Sequence, residues 1–166
     1  MNIRKTVLAA LLACMALGIY ALESIIPPIV PVPGVKLGLA NTVTLVALYA
    51  LGRRSAFAVL AVRILLCALL FGQPMSFLFS LAGGVLCYAA MCIAARFLDR
   101  SRMWAVSIFG AFFHNLGQIA VAIAVTSQLA VAYYFLFLII SSVITGAFTG
   151  FCALYCLKLI EKSKLI

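Results

Sequence analysis

The sequence predicts an all-α integral membrane protein of about six transmembrane helices, with both ends of the chain on the cytoplasmic side. Three observations carry this expectation. Hydrophobic residues fill 67% of the 166 positions and charged residues only 9%, whereas soluble domains run near half apolar and a quarter charged. The apolar residues fall in long runs, close to the ~20 residues that cross a bilayer. The cations gather in the breaks between runs, and on alternate breaks. A water-soluble fold of this length exposes much of its surface, and this composition has too little polar surface to cover it. The length suits a single transmembrane domain, residues 1–166, and the mean hydropathy of +1.29 agrees.

The first run extends from about Val7 to Leu22, after Arg4 and Lys5. A Pro-rich connector follows, with Pro27, Pro28, Pro31, Pro33 and Gly34, which helix geometry excludes. The second run, Leu37 to Leu51, ends at Gly52-Arg53-Arg54. The third, Ala56 to Phe71, ends at Gly72-Gln73-Pro74. The fourth is Met75 to Leu98, closed by the polar turn Asp99-Arg100-Ser101-Arg102. The fifth is Trp104 to about Thr126, and the sixth about Val131 to Leu157, before a Lys-rich tail.

Charge sets the orientation. Arg4, Lys5, Arg53, Arg54, Arg96, Arg100, Arg102, Lys158, Lys162 and Lys164 all fall on one side, and only Lys36 on the other. Cations favour the cytoplasmic face, so that side is inside. The net charge of +9 against three acids, Glu23, Asp99 and Glu161, therefore reads as topology and not as a nucleic-acid surface. Leu11-Leu12-Ala13-Cys14 resembles a lipoprotein cleavage box, but the apolar run continues past it to Leu22, which favours a spanning helix. The six cysteines lie inside apolar runs without a CxxC pair, so they read as small hydrophobes, and no metal site is expected.

Helices in lipid associate through close backbone approach. Small residues mark three such places: Ala9, Ala13 and Ala16 in the first run, with Ala10, Cys14 and Gly18 beside them; Gly83-Gly84 in the fourth; and Ser142, Gly146 and Gly150 in the sixth. Packing within the bundle explains all three. A docking face for another membrane subunit is the alternative, and the first run is the better candidate for it.

Ionisable groups inside a bilayer are costly and line cavities or pair with one another. Arg63 lies about eight residues into the third run, near the bilayer centre at ~1.5 Å per residue. His114 and Asn115 reach a similar depth in the fifth, and Gln118 follows one turn later on nearly the same face. Glu23 ends the first run, and Lys36 and Asn41 open the second, on the outer side. Together they predict an outward-facing polar pocket. Arg63 and Lys36 would attract an anionic group, Asn41, Asn115 and Gln118 would hydrogen-bond a polar body, and His114 would orient the ligand or a neighbour. An Arg63–Glu23 salt bridge and plain interhelical hydrogen bonds are the structural alternatives.

Several motifs occur in combination: Pro31-x-Pro33-Gly34-Val35-Lys36-Leu37-Gly38-Leu39-Ala40-Asn41; Arg63-x-Leu65-Leu66 with Phe71-Gly72; Ser80-Leu81-Ala82-Gly83-Gly84; and Gly110-Ala111-x-x-His114-Asn115-x-x-Gln118. With them the chain resembles, over nearly its whole length, the bacterial membrane family called Gx transporter or heptaprenyl diphosphate synthase component I. That family is similar to the S components of energy-coupling-factor vitamin transporters. The resemblance implies an S-component-like bundle in the bacterial cytoplasmic membrane, with an outward-opening pocket for a vitamin-like solute. A flavin is the first such solute to test, as substrate and not as a resident cofactor. It also implies a first helix that docks through Ala9 and Ala13 on a coupling subunit with its ATPases.

Catalysis is not expected. Prenyl diphosphate synthesis needs clustered carboxylates to hold magnesium, and the only Asp here is Asp99, with no two acids near each other in sequence. No Walker A sequence is present. Three expectations follow: a solute-binding transport protein, a non-catalytic accessory subunit in polyprenyl diphosphate or quinone metabolism, or a structural membrane partner. A polar pocket would favour the first, a lateral apolar opening the second, and a solid bundle the third.

Overall fold

A computed structural model describes residues 3–25, 38–71 and 74–163. The Pro-rich connector, Lys36, Gln73 and Lys164 lie outside the described residues. All described regular structure is helical: α1 (Ile3–Ile25), α2 (Asn41–Leu51), α3 (Arg53–Phe71), α4 (Pro74–Phe97), α5 (Met103–Thr126) and α6 (Phe135–Lys162), with short 3-10 turns at Arg100–Arg102 and Leu129–Tyr134. Five of the six helices are long and apolar enough to cross a membrane. The chain is a multi-pass membrane protein.

The second helix departs from its predicted extent. The apolar run begins at Leu37, but regular helix begins only at Asn41, because Gly38 takes a left-handed φ of 79° and the following turn is tight, with Asn41 N–H donating to the Gly38 carbonyl. The 11 residues of α2 span only ~16 Å at ~1.5 Å each, about half of a ~30 Å hydrocarbon core. This half-helix is not lipid-facing. Seven of its residues are buried, from Asn41 and Val43 to Leu48, and it touches every other helix. Its apolar composition therefore reports a central position in the bundle and not a full crossing. Gly52, at φ 86°, closes the tight α2–α3 hairpin.

The other long helices pack around α2. α5 makes its most extensive contacts with α4 and α6, and small residues set those crossings. A β-carbon added at Gly146 would lie 2.6 Å from Ile108 Cα, and one at Gly117 2.8 Å from the Ala82 carbonyl oxygen. One core cluster joins Leu8, Leu12, Ala13 and Ala16 of α1 to Val43 and Leu45–Leu48 of α2, Met91 of α4, and Ala153 and Leu157 of α6. Lipid-facing positions carry large apolar side chains such as Leu69, Phe97, Phe137 and Phe148. Arg100 and Glu161 form the one ion pair among the described residues, tying the α4–α5 turn to the end of α6. Both side chains are over two-fifths exposed, so the pair adds at most ~1 kcal/mol.

Reporter fusions test the threading. Fusions after Arg54, Arg102 and Lys164 are expected to read cytoplasmic, and those after Lys36, Gln73 and Gln128 external. Two or more inversions would overturn the helix assignment.

Candidate functional site

The half-helix determines where polar groups can meet. Asn41 is ten residues before Leu51, and Arg63 ten residues after Arg53, on the two arms of one tight hairpin. Both therefore stand ~15 Å from that turn, about half the depth of a ~30 Å hydrocarbon core. His114, eleven residues into α5, reaches the same level on another helix.

At this level Asn41 Nδ2 and His114 Nδ1 are 3.0 Å apart. The imidazole is held between two glycines. A β-carbon at Gly38 would lie 2.8 Å from His114 Nε2, and one at Gly83 2.7 Å from Nδ1. Larger residues at either position would push the ring away, so the Gly83-Gly84 pair serves this ring as well as packing. The ring also hydrogen-bonds the Gly83 backbone on its Nδ1 side, while Nε2 faces Gly38 without a partner. Arg63 is 4% exposed and lies within Coulombic reach of His114, Glu23, Cys67 and Cys87. Gly84 gives it room, since a β-carbon there would be 3.3 Å from the guanidinium. Glu23, at the outer end of α1, turns inward to 4% exposure and accepts a hydrogen bond from Gly38 N–H. From sequence Glu23 sits apart from the midplane group; in the structure Gly38 joins the two.

The predicted residues thus divide. Asn41, Arg63, His114 and Glu23 converge. Asn115 turns to α6, where its Nδ2 donates to the Leu138 carbonyl at 2.9 Å; its role here is to join helices. Gln118 is 1% exposed on the His114 side of α5, and its Oε1 has no hydrogen-bond partner. Lys36 lies outside the described residues. The structure adds Thr44, buried one turn beyond Asn41, together with Gly38 and Gly83 as the walls of the imidazole slot. Thr44 carries no sequence signal, since threonine inside an apolar helix usually bonds its own backbone.

Unsatisfied polar atoms concentrate in this region. Among the described residues, Asn41 Oδ1, Thr44 Oγ1, His114 Nε2 and Gln118 Oε1 are buried without a hydrogen-bond partner, as is Tyr49 OH further along α2. Each such atom costs ~1–3 kcal/mol when nothing satisfies it. The cavity beside them, lined by Gly38, Asn41, Cys87, Met91, Ser107 and Thr149 among others, has a volume of 10 Å³, about enough for one water. The bundle is closed around its polar centre, so the outward-facing polar pocket expected from the sequence is not open at these residues. A wider cleft of 430 Å³ opens at the outer ends of α5 and α6, lined by Gln128, Val131, Tyr133, Tyr134 and Phe137.

On α1, Ala13 is buried in the core and Ala9 is half-buried against it. The small residues on the open face are Ala10, Cys14 and Gly18, and a β-carbon at Gly18 would meet no atom within 4 Å. The spacing read from Ala9 and Ala13 recurs one position along, on the side that the bundle leaves uncovered.

Comparison with curated proteins found no match, and neither did comparison with solved structures. The family model for heptaprenyl diphosphate synthase component I matches residues 12–156, a span that holds α2 to α5, the half-helix and the whole polar cluster, and the chain belongs to that family.

Proposed function

We propose that the protein binds a small vitamin-like solute in its outer half and carries it across the bacterial cytoplasmic membrane. The observation that supports this most is the cluster of buried polar atoms without partners around Asn41, Thr44, His114 and Gln118, beside a guanidinium that makes no ion pair among the described residues. A group of this kind in lipid is too costly to be only packing, and its partners are those of a polar ring bearing an anionic group. Flavin is the solute to test first. With a closed volume of 10 Å³, any such solute requires the α1–α2 side to part from α5. The protein itself carries out no chemical step in this reading.

The test is to purify the protein, identify any retained small molecule by absorbance and mass spectrometry, and screen riboflavin, flavin mononucleotide and other vitamins by thermal shift. A retained or stabilising solute whose effect vanishes in His114→Ala would support the proposal. Absence of any retained molecule and of any shift would reject it.

Transport also needs an energy source, and an energy-coupling-factor type subunit with its ATPases is the partner we propose. The docking face would be Ala10, Cys14 and Gly18. Gly18→Leu is then expected to lower uptake in cells severalfold while leaving melting and solute binding in detergent unchanged. Ala13→Trp, which overpacks the core, should cost ~1–3 kcal/mol of stability. Normal uptake with Gly18→Leu would remove the docking face.

A second reading, an accessory subunit in polyprenyl metabolism, is favoured by the aromatic cleft of 430 Å³ near Tyr133 and Phe137. Protection of the protein by a polyprenyl alcohol, lost in Phe137→Ala, would favour it over solute transport.

A further inference from the structure

The turn that enters α2 lies deep in the bundle, and a carboxylate already meets it. Gly38 N–H, in the turn entering α2, donates to Glu23 Oε1. No side chain caps α2, whose N-cap position is Ala40; its first N–H groups, of Asn41, Thr42 and Val43, donate to the carbonyls of Gly38, Leu39 and Ala40, which leaves the Gly38 N–H free to meet the carboxylate. His114 Nε2 stands against Gly38, buried and without a partner, and Asn41 Oδ1 beside it is likewise unpartnered. The Arg63 guanidinium is within Coulombic reach of both Glu23 and His114. The Gly38 N–H, a guanidinium and an imidazole thus gather at one carboxylate that the chain supplies from the end of α1.

We infer that the turn at Gly38 is a carboxylate-binding site, filled by Glu23 in this closed arrangement and by the carboxylate of the solute in the loaded one. The inference rests on the solute-binding reading and moves its class away from flavin, which has no carboxylate, to a small carboxylic acid whose polar body reaches Asn41 and His114. A monoanion fits better than a phosphate dianion, because the carboxylate already there carries one charge, with Arg63 within Coulombic reach of it. The exchange also couples binding to motion. Glu23 sits at the outer end of α1, so a solute carboxylate that replaces it releases α1 from the turn of α2, and that contact is one of those closing the site from outside.

Acetate tests the exchange, as a carboxylate with nothing attached. The measurement is the melting temperature of the purified protein titrated with acetate at constant ionic strength, with acetamide as the neutral control. In Glu23→Gln no competing charge remains at Gly38. The acetate concentration giving half the stabilisation is expected to fall about tenfold relative to the unmutated protein, the scale of losing one charged competitor from a desolvated site. Glu23→Asp keeps the charge, guards against a mere folding defect, and should stay within about threefold of the original. Acetamide should do nothing in any of them. Identical acetate responses in Glu23→Gln and the unmutated protein, or an acetamide response matching acetate, would overturn the carboxylate site. The solute reading would survive that result if a vitamin still stabilises the protein through His114, so the two failures are distinguishable.

Discussion

Gly150→Leu is expected to abolish the folded bundle. At this point α6 runs against α5 so closely that an added β-carbon would fall 2.4 Å from Trp104 Cα and 2.9 Å from Ser107 Cβ. The first of these is backbone, which cannot rotate aside, so the two helices must part. The Ser107–Thr149 hydrogen bond, 2.8 Å and one residue away, goes with the contact. Overpacking costs ~1–3 kcal/mol for a change that a core can absorb. Here the strain falls on helix axes in lipid, where association rests on close approach, so the leucine should exceed that range and even Gly150→Ala should reach it. Size-exclusion chromatography in detergent with thermal melting measures the effect. Gly18→Leu is the control, because open space surrounds that position. Monodisperse Gly150→Leu protein with a melting point within a few degrees of the control would show that α5 and α6 do not cross there.

The contrast between these two glycines shows what can be read from sequence and what cannot. Both occur in helices at small-residue spacings, and spacing alone does not say which side of a helix faces the bundle. On α6 the Ser142, Gly146 and Gly150 face is internal and buried, in keeping with the packing reading. On α1 the Ala9 and Ala13 stripe and the Ala10, Cys14 and Gly18 stripe are indistinguishable by composition, and only packing separates them. The helices themselves were legible because lipid forces long apolar runs and the cations mark their inner ends. Hydropathy misjudges α2, since an apolar half-helix surrounded by protein looks the same as a short spanning one. That error matters for the site. Placing Asn41 at the outer surface hides that it opens a helix in mid-membrane, opposite His114. The depth of Arg63 and His114 was readable from counting residues, whereas the inward turn of Glu23 and the outward turn of Asn115 to α6 depend on side-chain directions that no periodicity encodes.

Arg63→Gln is expected to leave the protein without added solute as stable as before, or more so, and to weaken solute binding by ~1.5–3 kcal/mol, the scale of a charge-assisted hydrogen bond. That is roughly a ten- to hundredfold loss of affinity. The reasoning begins from burial. A cation near the bilayer centre costs ~2.5–3.5 kcal/mol on insertion scales, and Arg63, at 4% exposure, makes no ion pair among the described residues to offset it. The nearby carboxylate of Glu23 acts at longer range and has its hydrogen bond with Gly38. Removing the charge therefore relieves a cost more than it breaks a contact. The charge acts most directly on an anionic group that arrives with the solute, and neutral analogues of the solute should accordingly lose less affinity in the variant than the anion does. Melting curves with and without solute measure both effects on one sample. If Arg63→Gln instead unfolds far earlier without solute, and the double change with Glu23→Gln restores the melting point, the two residues form a structural pair. In that case the guanidinium holds α1 to α3, and anion recognition must be sought at Lys36.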